Sequence, residues 1–131
     1  MAFGNLKFDT LTTSDAKNTN TEKSLDTSYV FNGSAKAWAS ITGDSFTLSD
    51  NFNVSSITDN ATGRPEANFT NNMANATYSY AGGAYNRIVG AYATDGALTT
   101  SSLAVALVDS GGSFGDISTN IMGLQVKGDV A

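Results

Sequence analysis

Cysteine and histidine are both absent from this 131-residue chain, and each absence removes a block of chemistry. Without cysteine there is no disulfide, no thiol nucleophile and no thiolate to hold a metal. Without histidine the commonest general base and the commonest metal ligand are missing as well. Basic residues are few, seven Lys and Arg against twelve Asp and Glu for a net charge of -5. No run of them could neutralise neighbouring phosphates, so nucleic acid is not an expected partner. No signal-like N-terminus and no long apolar run is present, so neither a secretory route nor membrane insertion is expected. No cofactor and no metal site is expected either.

The apolar fraction is 40%, slightly below the usual globular level, and much of it is alanine. Large side chains are thin for the length, which points to surface buried against copies of the chain or against another protein. Ser, Thr and Asn are abundant while charge is low, a composition suited to solvent-facing β-surface. Seven Phe and five Tyr argue against a disordered chain.

In order, Leu6 and Phe8 alternate with Lys7 and Asp9, and Leu11 follows among threonines, as in a short strand. Residues 14–28 have almost no large apolar side chain and read as a linker or surface loop. Residues 1–28 are therefore expected to form an extended arm, with Phe3, Leu6, Phe8 and Leu11 as its anchor, because their apolar area has few local partners. Residues 29–131 are expected to form one β-domain. Its first strand carries Trp38 and closes at Thr42-Gly43-Asp44. A second runs from Ser45 to Phe52 with Phe46 and Leu48 on one face. A third spans Val54 to Thr58, where alternation breaks at Ser55-Ser56 and a bulge would restore register. Turn residues fill Asp59 to Pro65, and Pro65 cannot donate to a ladder.

Glu66 to Thr70 is the next predicted strand. Tyr78 and Tyr80 alternate in another, which Gly82-Gly83 is expected to stop. Extended structure resumes around Ile88, Val89 and Tyr92, with a turn at Thr94-Asp95-Gly96. Leu103, Val105 and Leu107 alternate with alanines in what reads as an inner strand covered on both faces. The last strand lies between Ile117 and Lys127, with a bend or bulge at Gly123. Strong helix formers are sparse and no segment holds a helical period. Seven or eight short strands with Gly/Asn/Asp turns predict an all-β fold, a small antiparallel β-sandwich that is jelly-roll-like or an open barrel. Edge strands need covering, and with little charge to protect them they favour self-association.

The expected packing core is Trp38, Phe46, Leu48, Phe52, Val54 and Ile57. Trp38 carries a second reading as an interface or ligand-stacking residue, since its ring N–H wants a partner. Tyr78, Tyr80, Tyr85 and Tyr92 are the candidates for surface recognition of protein or glycan, with core or seam packing as the competing use. Asp50 and Asp59 flank the central stretch without being placed as an acid–base pair. Asp109-Ser110 and Asp116 could hold a loop calcium, although turn formation explains them more simply. Asn-x-Ser/Thr triplets begin at Asn32, Asn53, Asn60, Asn68 and Asn75, as chance predicts in so Asn- and Thr-rich a chain.

Lys36-Ala37-Trp38, the run from Asp50 to Asn60, Thr62-Gly63 and Asn68-Phe69-Thr70 together carry a resemblance. Residues 34 to about 80 resemble a module recurrent in virion proteins of tailed bacteriophages, especially tail-fibre and appendage proteins of marine phages; the opening GNLKFDTLTTS is similar to the leader preceding such modules. The resemblance implies a non-enzymatic virion structural protein, a homotrimer as fibre modules usually are. It would be attached to phage tail or capsid proteins as a short tail fibre, head fibre or decoration protein. The chain has no heptad stretch and no repeat for a shaft, which implies a short knob with an arm. A host-receptor or glycan-binding module using exposed aromatics is the alternative.

Overall fold

The computed structural model describes residues 10–13, 23–26, 30, 31, 33–118 and 121–131. Two compact units divide the chain, Met1–Ser34 and Ala35–Ala131. In the first, β1 (Thr10–Thr13) pairs antiparallel with β2 (Lys23–Asp26), bringing Leu11 opposite Leu25. The second strand falls where the sequence predicts only linker. Its single apolar residue, Leu25, gives no alternation to detect, and β1 supplies the pairing that local pattern lacks. Val30 and Phe31 are exposed. Of the expected anchor residues, Leu11 sits in β1, while Phe3, Leu6 and Phe8 lie outside the described residues.

Among its described residues the second unit holds eight strands. They are β3 (Ala37–Thr42), β4 (Thr47–Phe52), β5 (Val54–Asp59), β6 (Pro65–Phe69), β7 (Ser79–Ala84), β8 (Ile88–Ala91), β9 (Ser102–Val108) and β10 (Ile121–Lys127). All of their described pairings are antiparallel. One sheet has the order β4-β3-β10-β7 and the other β5-β6-β9-β8. The two pack together as an all-β, sandwich-like domain, with no closed barrel among the described residues.

Period-two patterning builds the interior. On β10, Met122, Leu124 and Val126 point inward while Ile121, Gly123, Gln125 and Lys127 face out. Ala37, Ala39 and Ile41 of β3 are buried beside them. From the facing sheet come Ala67 and Phe69 of β6 and Leu103, Val105 and Leu107 of β9. Fully burying each large aliphatic side chain contributes about 1.5–3 kcal/mol. The other face of β9 is also closed, with Ala104 and Ala106 buried. Arg64 just before β6 and Tyr92 just after β8 come from the two neighbours of β9. Their contact, 5.2 Å from guanidinium carbon to ring centre, reaches across a lane that small alanines leave low. Tyr92 also meets Phe114 edge-on at 5.4 Å.

Three local expectations are corrected. The strand predicted from Ser45 begins at Thr47, and Phe46 lies in the preceding turn with φ +47. It is nevertheless buried, because that turn conformation swings the ring under the sheet. Gly82-Gly83 does not stop a strand, since β7 runs through both and pairs with β10 across them. Leu124 and Val89 side chains crowd the space a Cβ on Gly82 would take, at 2.7 and 3.0 Å, so that glycine is set by core packing. Gly123 makes no bend, and β10 keeps one register with both neighbours through it. The break in β5 does fall between Val54 and Ser56, where alternation fails in the sequence.

Tyr78 shows how a polar group is accommodated inside. Its hydroxyl donates to the Ser102 carbonyl at 2.7 Å and its ring packs edge-on against Phe69 at 5.8 Å. Burial pushes the phenol up from its ordinary 10.0 to about 12. The unfolded chain releases this proton near pH 10 while the folded one holds it. Stability is therefore complete below that pH and falls as pH rises through the window between the two values. The expected loss is on the order of 2 kcal/mol by the top of the window. Tyr78→Phe should flatten that alkaline decline, read as urea midpoints at pH about 9 and about 11. An equally steep decline in the variant would show that Tyr78 is not its source.

Candidate functional site

The outward face of the β4-β3-β10-β7 sheet carries Trp38, Phe52 and Ile121 among the large apolar side chains that the described residues leave exposed. Register arranges that face in rows across the strands. One row reads Phe52, Trp38, Gln125, Ala81, since Trp38 lies opposite both Phe52 and Gln125, and Gln125 opposite Ala81. The next reads Asp50, Ser40, Gly123, Gly83. A third sets Thr42 opposite Ile121, with Tyr85 in the turn just past β7. Trp38 is 37% exposed, Phe52 55%, Tyr85 61% and Ile121 62%. For single scattered residues such exposure is ordinary; Trp38 and Phe52, directly opposite one another, form an adjacent exposed pair.

Between these apolar rows the floor is low. A Cβ placed on Gly83 or on Gly123 would meet nothing within 4 Å. Neither glycine has a positive φ, so neither packing nor backbone conformation within the domain requires it. The result is a shallow groove of about 430 Å³, lined by Trp38, Ala81, Gly83, Gly123 and Gln125 among others. A second depression of about 330 Å³ lies on the other side of Phe52, where Lys36, Asn53, Thr70, Asn71 and Val130 converge. Within the strands, the charged groups that register puts on this face are Asp50 and Lys127. Lys36, just ahead of β3, adds a second ammonium at the Lys127 end. No charged group shares the row of the indole.

Trp38 and Phe52, expected in the core, are thus corrected to the outer face. Parity decides it: Ala37, Ala39 and Ile41 are the inward set of β3, so Trp38 must point away. Phe46 and Val54 are buried, and Leu48 and Ile57 are partly buried against the core.

No protein-family model, curated protein or solved structure matches this chain.

The four tyrosines separate. Tyr78 is interior, which removes it from surface recognition. Tyr80 is half-buried, its hydroxyl accepting a bond from the Ala91 amide at 2.7 Å and tying β7 to β8. Tyr92 is engaged by Arg64 and Phe114. Tyr85 alone of the four is broadly exposed. Both loop acids considered for calcium serve backbone turns. Asp109 Oδ1 accepts from the Ser113 amide at 3.0 Å and the Gly111 amide at 2.8 Å, which hold its carboxyl below the usual range. Asp116 Oδ1 accepts from the Gly63 amide at 2.6 Å.

Ser40, Asp50, Gln125, Gly83 and Gly123 were not legible as a group. Each is ordinary in its own strand. Only the pairing of β10 between β3 and β7 sets them in adjacent rows.

Proposed function

We propose that this chain is a non-enzymatic structural protein of a tailed-phage particle, a short homotrimeric fibre or decoration module held by its N-terminal arm. The observation that carries the reading is a two-sheet antiparallel sandwich preceded in the chain by a separate N-terminal unit, the plan of a small module with an arm. The resemblance of residues 34 to about 80 to phage appendage modules supports the particle assignment, and with it a location on the surface of the virion's capsid or tail. Within the sandwich class we assign it to the jelly-roll-like type, on the repeated exchange of the chain between sheets at β4–β5, β6–β7, β7–β8 and β9–β10. Residues 1–28, with Phe3, Leu6, Phe8 and Leu11, form the attachment to capsid or tail proteins.

Deleting residues 2–28 should leave the sandwich folded and remove it from assembled particles. A reconstruction of intact particles should show the domain in threes at the surface, and one of the deletion particles should show those positions empty. Undiminished density after the deletion would rule out attachment by the arm.

A further inference from the structure

We propose that the groove beside Trp38 binds a neutral saccharide, with one pyranose ring lying on the indole and its hydroxyls reaching the polar row that contains Gly123 and Gly83. The inference goes beyond the particle assignment and does not depend on it.

Trp38 supplies the platform. An exposed indole offers a flat apolar face with a polar edge, which suits the C–H face of a sugar ring. The second requirement is room beside the ring. A Cβ at 83 or at 123 would enter the groove without touching anything in the domain, and a glycine in a strand with neither bulge nor positive φ is one sign of close approach by a ligand or another backbone. The third is hydrogen bonding on either side. Gln125 follows Trp38 in its row, and Ser40 and Asp50 continue the row of the glycines. These provide an amide, a hydroxyl and a carboxylate that accepts from hydroxyl groups.

Charge and size choose among occupants. Asp50 and Lys127 have opposite sign, Lys36 stands with Lys127 at one end, and the row of the indole is uncharged, so an uncharged ligand fits the groove better than an ionic one. A second copy of this chain, itself at -5, would bring one net-negative molecule against another. Area argues the same way. Four strands about 4.8 Å apart and six residues long present roughly 300–400 Å², whereas a stable protein complex takes about 800 Å² from each partner. Two or three sugar units fit that span.

Trp38 is the only tryptophan, so its fluorescence reports on the groove directly. The full chain is screened on an array of neutral oligosaccharides, and hits are titrated with emission and acrylamide quenching as readouts. Saturable binding should shield Trp38 from quencher. Trp38→Ala should abolish array binding, and Gly123→Val should weaken it at least tenfold with no fall in melting temperature. Gly83→Val serves as the second filled-groove variant should Gly123→Val misfold. An array with no neutral hit overturns the proposal, as does binding that both filled-groove variants retain. Self-association of the wild-type chain that Gly123→Val abolishes, without sugar binding, would assign the face to a second copy instead.

Discussion

Gly63→Ala should destabilise the domain by about 3 kcal/mol or more, among the largest effects of any single methyl group in this chain. Gly63 has φ +66, and a Cβ there would lie 2.7 Å from the Gly115 amide nitrogen and 2.8 Å from the Leu107 carbonyl oxygen. Both are backbone atoms and cannot swing aside. They are also fixed in place, because the Leu107 amide donates to the Gly63 carbonyl at 2.7 Å and the Gly115 amide to the Leu107 carbonyl at 3.2 Å. The left-handed conformation adds roughly 1 kcal/mol for any residue with a side chain. Gly123→Ala is the internal comparison: its Cβ meets open space and strand propensity should leave stability equal or higher. Urea midpoints of the two variants test this, and equal midpoints would refute the packing argument at Gly63.

Asn53→Ala should cost about 3 kcal/mol, although the residue is only half-buried. Asn53 is the single residue between β4 and β5, where the chain leaves one sheet for the other. It holds φ +56, which asparagine tolerates better than most side chains. Its amide nitrogen donates to the carbonyls of Lys36 at 3.0 Å and Asn71 at 3.1 Å. Its Oδ1 accepts from the Asn71 amide at 2.7 Å and from Asn71 Nδ2 at 3.1 Å. Hydrogen bonds contribute about 0.5–1.5 kcal/mol each, and the strained conformation supplies the remainder. Asn53→Gly keeps the backbone freedom and loses only the bonds, so it should recover about 1 kcal/mol of the alanine variant's loss. Thermal or urea unfolding of both variants measures the split. Identical losses would mean that φ contributes nothing at this corner.

Asn53 also shows where sequence reading ends. In the linear text it is the start of an Asn-x-Ser triplet between two patterned strands, and nothing marks it as the point where the chain changes sheets. Most strands of the sandwich were readable because alternation is local: β9 announces itself through Leu103, Val105 and Leu107, and the irregularity in β5 through Ser55-Ser56, whereas β2, with Leu25 alone, was not. Which face of a strand turns inward is a different matter, since it is settled by the partner strands. Phe52 looked like core because it is large and apolar, yet its face follows from pairing with Trp38, whose own face follows from Ala37, Ala39 and Ile41. Small residues decided the question against large ones. The tyrosines were ambiguous for a related reason: Tyr78 and Tyr80 end in hydroxyl groups that serve Ser102 and Ala91, and those partners are far away in sequence. The candidate groove was the least legible feature, because two glycines that look like a stop and a bend prove to be neighbours on paired strands.

The position of β10 has a consequence for how the domain is made. This last strand fills the gap between β3, the first strand of the sandwich, and β7. During synthesis, therefore, most of one sheet waits for its central member. Until residues 121–127 leave the ribosome, β3 and β7 each present an open edge able to pair with another chain. Contacts so distant in sequence also slow folding. Nascent or prematurely terminated chains should thus be the aggregation-prone species, and expression at low temperature or alongside a chaperone should improve yield more than any change to the finished surface.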